Sequence, residues 1–346
     1  MKHRHRPSAP QIIHAINAPS DASVAPGRAK IHTAIVGTKP AAIVLMQQPC
    51  GDTPPHSRQE TTMNEHVKIP AQSQDSMPAH EHEMDPAPDY TPRHPGSGKL
   101  KDKVAFISGG DSGIGRAVAV LFAREGAKVA IAYLSEEGDA EKTRKLVEEE
   151  GSEALLIKGD LGVKDNATAA IEQTVEHFGK LDIVINNAAQ QWLDEDLTEL
   201  HEEKLRQMFD SNVMSYFFCT QAALPHLSEG AAIINTSSVN AFAGMGSLIT
   251  YSTTRGASLA FTRSLAANLA DKGIRVNSVA PGPIWTPFIP GTMPAEQVED
   301  FGSGTPMGRA GQPWEVATAF LFLASSDGNY YTGQCLHPNG GMIVGA

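Results

Sequence analysis

Cysteine is scarce: Cys50, Cys219 and Cys335 are the only three in 346 residues, and no CxxC spacing joins them. An odd, scattered set excludes a disulfide framework and a cysteine-ligated zinc site, and it suits a reducing, cytoplasmic compartment. Positive charge is short as well. The formal net charge is -11 and the pI about 5.6, which argues against nucleic acid or an anionic membrane surface as partner. Long hydrophobic runs are missing: TAIVGTKPAAIVLM (33–46) is broken by Lys39-Pro40 and is too short to span a bilayer. The opening MKHRHR suggests a signal peptide, but no apolar segment follows it, so none is expected; an organellar leader and a start at Met63 both stay open.

Proline and histidine are plentiful in one place. Residues 1–98 hold 14 of the 23 prolines and 9 of the 13 histidines, without sustained helical or strand periodicity. Residues 1–62 carry +4 while the remainder carries -15. A segment of this kind buries too little apolar surface to offset its ordering entropy, so residues 1–98 are expected to be a largely disordered or extended leader. The stretch HEHEM (80–84) raises a metal site, but no partner ligands stand at fixed spacing. It reads as a solvated polar linker, with no metal.

From residue 99 the pattern is regular. KVAFISGG is a short apolar run ending in glycine, and a helical segment (GIGRAVAVLFAREG) and a second strand, KVAIAYL, follow it. Further helices are expected over 139–150, 165–178, 198–228, 250–271 and 313–325. They alternate with strands in ALLIKGD, LDIVINNAA, AAIINTSS, RVNSVAPG and QCLHPNGG. Strands separated by helices of 10–20 residues mean parallel βαβ crossovers. The expectation is an α/β fold: one Rossmann-type, doubly wound parallel sheet over about 99–346.

Gly109, Gly113 and Gly115 stand as GxxxGxG between the first strand and its helix. A pyrophosphate needs close approach of the backbone and free N–H groups at a helix N-terminus, and glycine permits both. In this βαβ context the triad marks a dinucleotide site. The tip of the second strand reads Tyr133-Leu134-Ser135-Glu136, with neither an acid at the tip for a ribose 2′-hydroxyl nor a basic residue for a 2′-phosphate. Asp111, Glu136 and Glu137 nearby would repel a phosphate. The cofactor is NAD or NADP, with the balance toward NAD.

These motifs together resemble the short-chain dehydrogenase/reductase family over about 104–341, and within it the bacterial general-stress and glucose/ribitol dehydrogenase branch. SGGDSGIG (108–115) is similar to TGxxxGxG, with Ser108 for threonine. KGD (158–160), NNAA (186–189), Asn212, Ser238 in NTSSV, Tyr251 in YSTTR and PGPIWT (281–286) resemble the family's other motifs, and thirteen positions separate Ser238 from Tyr251. The resemblance implies a catalytic set of Ser238, Tyr251, Arg255 and Asn212, with Asn212 holding a water on a proton path. It implies a cofactor site drawn from Ser108, Gly109, Asp111, Ser112, Gly113, Ile114, Gly115, Tyr133, Asp160, Leu161, Asn187, Ala188, Tyr251, Arg255, Pro281, Gly282, Ile284 and Thr286, with Thr286 on the carboxamide. It also implies a homotetramer built on the long helices and the C-terminal strand.

The chemistry can be argued without the family. Reducing a carbonyl needs a hydride on one side and a proton donor on its oxygen. A phenol ionises at about pH 10 on its own. A cation 4 Å away is worth roughly 4 kcal/mol at an effective dielectric near 20, enough to favour the phenolate. Tyr251 and Arg255 are four apart and share a helical face. The family carries lysine where this chain has Arg255, and arginine is larger, planar and unable to release a proton at working pH. Two readings follow. One is an oxidoreductase acting on a sugar, polyol or small alcohol and its carbonyl; the other is a nucleotide-binding sensor or scaffold without turnover. Residues 284–311, rich in glycine and proline, read as a mobile lid. Trp285, Phe288, Met293 and Phe301 there either line the substrate pocket or pack on the domain.

Overall fold

A computed structural model describes residues 68–194 and 196–344. Seven parallel strands form one sheet in the order β3-β2-β1-β4-β5-β6-β7: β1 Val104–Ser108, β2 Lys128–Tyr133, β3 Ala154–Lys158, β4 Ile183–Asn186, β5 Ala232–Thr236, β6 Arg275–Val279 and β7 Cys335–Leu336. The helices are α1 Gly113–Arg124, α2 Glu137–Glu149, α3 Lys164–Phe178, α4 Glu202–Phe209, α5 Ser215–Ala223, α6 Asn240–Ala243, α7 Ile249–Leu269, α8 Ala295–Glu299 and α9 Pro313–Ala324. Among the described residues no helix is long and apolar enough to cross a membrane.

The period-two alternation of β1 explains the two layers. Ala105 and Ile107 face a core shared with α1, α2 and α9, while Val104 and Phe106 face one shared with α3, α5 and α7. Each fully buried large side chain there contributes roughly 1.5–3 kcal/mol. Strand order reverses between β1 and β4, so a crevice opens beyond the carboxyl ends of these two strands, where ligands bind in open α/β sheets.

One expectation needs correction, and a second, the extended leader, gains detail. The helix expected over 198–228 is interrupted. After α4 comes a π-helical turn, Asp210–Met214, before α5 resumes the ordinary pitch. Nothing in the apolar spacing announces it, because the cause is a tertiary contact: Asn212 is turned onto the backbone of Gln190. The second concerns the leader, whose first 67 residues lie outside those described. Residues 68–98 have little regular structure, as the prolines require, but they are not a solvated tail. Ile69 and Met84 pack with Trp285, whose indole Nε1 donates to the Pro86 carbonyl at 2.7 Å. Asp89 N–H donates to Gln312 Oε1 at 2.9 Å, and Trp314 N–H to the Asp89 carbonyl at 3.1 Å. Glu125 accepts from Ser97 N–H, Ser97 Oγ and Lys99 N–H at 2.9–3.1 Å. The segment has no core of its own and uses that of the sheet domain, which local periodicity does not reveal.

Candidate active site

The residues that gather at the crevice come from six strand ends, those of β1 to β6. Ser108, closing β1, is a strut: its Oγ accepts from Asn187 N–H at 2.8 Å and Ala188 N–H at 3.1 Å. Asn187 donates from Nδ2 to the Gly109 carbonyl at 3.0 Å and accepts from Thr236 Oγ1 at 3.2 Å, which knits β1, β4 and β5 at their tips. A Cβ on Gly115 would stand 1.8 Å from the Gly109 carbonyl oxygen, so helix α1 reaches its close packing only with glycine there. Gly113, at φ +51°, abuts Thr286 at the root of the lid.

A cleft of about 590 Å³ runs along these tips, within the range of ligand pockets. It is lined by Gly109, Asp111, Ser112, Gly113 and Ile114 of the loop, by Tyr133, Asp160, Leu161, Asn187 and Ala188 of the next tips, and by Ser238, Tyr251, Arg255, Pro281, Gly282, Ile284 and Thr286. Three expected site residues stand behind the wall: Ser108, Gly115 and Asn212. Asn212 is fully buried, and its side chain makes three hydrogen bonds. Its Oδ1 accepts from Gln190 N–H at 2.7 Å, and its Nδ2 donates to the Gln190 carbonyl at 2.9 Å and to Thr254 Oγ1 at 3.1 Å. Both amide hydrogens are thus committed, and Oδ1 keeps one acceptor site. The side chain positions the β4 tip.

Tyr251 and Arg255 occupy the inward face of α7, where Thr250, Thr254, Ser258 and Thr262 are also buried. Arg255 is 1% exposed, and its guanidinium carbon lies 4.8 Å from the centroid of the Tyr251 ring. Its Nη1 donates to Tyr216 Oη at 3.1 Å and to the Thr236 carbonyl at 3.0 Å. Burial pushes the Tyr216 phenol above its ordinary value, against the pull of Arg255, so Tyr216 stays neutral and donates to the Thr236 carbonyl at 3.2 Å. Tyr216 was not singled out in the sequence, where 39 positions separate it from Arg255. Arg255 Nε and Gln190 Oε1 are buried and have no partner among the described residues. Orphaned polar atoms beside a glycine cradle fit a polar ligand.

The lid is anchored. Trp285 N–H donates to the Gly311 carbonyl and Gly311 N–H to that of Pro283, both at 2.9 Å. Trp285 is fully buried beneath residues 68–86 and so packs on the domain, while Phe288, Met293 and Phe301 line the cleft. Phe288 sits 5.8 Å from the Tyr251 ring. In the C-terminal turn Asn339 accepts from Gly341 N–H at 3.1 Å and donates to the Met342 carbonyl at 2.7 Å, directly under Gly282.

Asp111 gives a testable consequence. Burial first, then the charges of Asp139 and Glu136, outweigh its hydrogen bonds and raise its carboxyl from 3.8 to about 6. Below pH 3.8 the group is protonated folded or unfolded and contributes nothing. As pH rises toward 6 the unfolded chain ionises first, so stability falls, and above 6 the full cost stands at up to about 3 kcal/mol. Asp111→Asn is therefore expected to match the parent in urea unfolding at pH 4 and to exceed it at pH 7.5 by about 1–3 kcal/mol.

A glycine-rich loop, a strand-order reversal, and a serine, tyrosine and cation lining one cleft define a nicotinamide-dinucleotide oxidoreductase on a Rossmann-type fold. A family model described as enoyl-(acyl carrier protein) reductase matches residues 109–343. The chain is 48% identical to the glucose and ribitol dehydrogenase of Daucus carota over 284 residues, covering 80% of this chain and 98% of that protein. It is 50% identical to general stress protein 39 of Bacillus subtilis over 278 residues, covering 80% and 97%. A crystal structure of a short chain dehydrogenase from Burkholderia cenocepacia, in complex with NADP, superposes with a TM-score of 0.67 at 30% identity, over 70% of this chain and 98% of that one. The chain belongs to the short-chain dehydrogenase/reductase family.

Proposed function

We propose that this oxidoreductase interconverts an alcohol and its carbonyl, with a sugar, polyol or small alcohol as substrate and Tyr251 as the acid/base. The observation that carries this reading is the placement of Ser238, Tyr251, Arg255 and Thr286 on one cleft with the glycine loop. The dinucleotide, when bound, supplies or takes up the hydride. Tyr251 Oη moves the proton on the substrate oxygen, and Ser238 Oγ hydrogen-bonds that same oxygen. Arg255 holds a positive charge against the Tyr251 ring. Thr286 would hold the carboxamide, and the N–H groups of the first turn of α1 beyond Gly113, whose own N–H is taken by the Glu81 carboxylate, the pyrophosphate. Gln190, Gln191 and Asn240, beside Phe288, give the substrate end polar partners and an apolar wall.

The lining supports NAD over NADP. Asp111 and Glu136 face the cleft near the β2 tip, and Arg255, distant from that tip in sequence, is the one Lys or Arg among the described residues that line it. A 2′-phosphate would meet carboxylates without a cation. Exposed Phe217 and half-buried Phe261, rings tilted by 35° with centroids 4.1 Å apart, support assembly through α5 and α7 into the homotetramer.

The test is turnover with NAD(H) and NADP(H) over a panel of sugars, polyols and small carbonyls, with binding measured on the same sample. The expected result is turnover with kcat/KM at least about tenfold higher for NAD(H). The commitment of Arg255 Nη1 to Tyr216 and Thr236 favours a second reading, a nucleotide-binding sensor. Tight binding of dinucleotide without turnover on any substrate would establish that reading instead.

A further inference from the structure

Residues 74–81 cross the cleft. On the lid side Gln74 N–H donates to the Pro290 carbonyl at 2.7 Å, and both Ser76 and Ala79 lie against Gly291, where an added Cβ would come within 2.8 Å of Ala79. On the other side His80 Nδ1 pairs with Glu136 Oε2 at 2.5 Å, beyond the β2 tip. The span is clasped on itself: Gln74 Oε1 accepts from His80 N–H at 2.7 Å, and Gln74 Nε2 donates to the His80 carbonyl at 2.9 Å. Glu81, 2% exposed, then enters the domain, accepting from Gly113 N–H at 2.8 Å and pairing with buried Arg116. Between these moorings Met77, Pro78 and Ala79 line the cleft. The stretch expected to be a polar linker therefore joins the lid, the β2 tip and the phosphate loop.

We infer that residues 74–80 are a roof over the middle of the dinucleotide cleft, held shut by Gln74 and His80 as positioning residues, and that the cofactor enters and leaves only when this roof lifts. The inference rests on the reading of the cleft as a dinucleotide site. The pyrophosphate belongs at Ile114, beside the Gly113 N–H that Glu81 occupies, the adenosine ribose near Glu136 and the nicotinamide toward Thr286. A loop moored to Pro290 and Glu136, with Met77, Pro78 and Ala79 in the cleft lining, stands over that path. Neither Gln74 nor His80 lines the cleft, so loosening them changes how often the roof opens more than what the cofactor touches.

Stopped-flow fluorescence of NADH association and release separates the possibilities, using the full chain, Gln74→Ala, His80→Ala and His80→Gln. A roof held by these contacts predicts that association and release both quicken about five- to tenfold in each alanine variant, with Kd within about threefold of the parent. His80→Gln, whose amide can still donate to Glu136, should stay close to the parent. If release alone quickens and Kd weakens in step, or if neither rate moves, the roof is wrong and the segment only braces the fold. The two alanine variants loosen different contacts, so misfolding of one, seen as a lowered melting temperature, leaves the other to decide. A parent protein that binds neither NADH nor NADPH would instead overturn the dinucleotide reading, and the roof with it.

Discussion

Tyr251→Phe is expected to lower turnover about 10³-fold while dinucleotide affinity stays within about twofold, the scale of a lost general acid/base. The substitution is clean. The ring packs in a small cluster with Met208, Leu248, Trp192 and Phe288, and a phenylalanine keeps those contacts and the face presented to the Arg255 guanidinium. Only the hydroxyl is lost. Single-turnover hydride transfer, read by nicotinamide absorbance, reports the chemical step apart from binding. A loss smaller than tenfold would mean that another group moves the proton, and Tyr251 would no longer be the acid/base. Ser238→Ala makes the complementary point. Its Oγ accepts from Asn240 N–H at 3.2 Å, so its removal costs one local bond as well as a bond to substrate.

How much could be read from the sequence depends on how local each cause is. The sheet follows from alternation such as that of β1, where two successive pairs of residues feed opposite cores. The phosphate loop is equally local, because close backbone approach allows only glycine at Gly115. The shared face of Tyr251 and Arg255 follows from helical spacing alone. What escaped depends on distant partners. Asn212 is turned by the Gln190 backbone and sits in a π-helical turn that no residue pattern encodes. Trp285 is buried because a segment about 200 positions upstream covers it. Glu81 is an acid in a histidine-rich stretch until Arg116 and Gly113 meet it. Buried ion pairs of that kind are specified by the assembled fold, and a single missing partner would make them costly.

Arg255 separates the two functional readings most sharply, and two substitutions there are expected to diverge. Arg255→Met keeps a long side chain but removes the charge. A unit charge within several ångströms of the reacting phenol is worth about 3 kcal/mol at an effective dielectric near 20, so turnover should fall about 100-fold. Arg255→Lys keeps the charge and gives up the reach. One ammonium cannot hold both Tyr216 and Thr236 while staying over the Tyr251 ring, but Tyr216 still donates to the Thr236 carbonyl at 3.2 Å, so the wall stands. Turnover within about tenfold of the parent is expected, together with a new alkaline limb in the pH profile. A buried lysine loses its proton below its free value of about 10.4, whereas an arginine keeps its proton throughout. Nicotinamide absorbance across pH 6–10 for the three proteins decides the matter. A parent as fast as the lysine variant makes the arginine a working member of the acid/base pair. A silent parent beside an active lysine variant, with equal dinucleotide binding, makes the native protein a nucleotide binder whose chemistry one guanidinium has stopped.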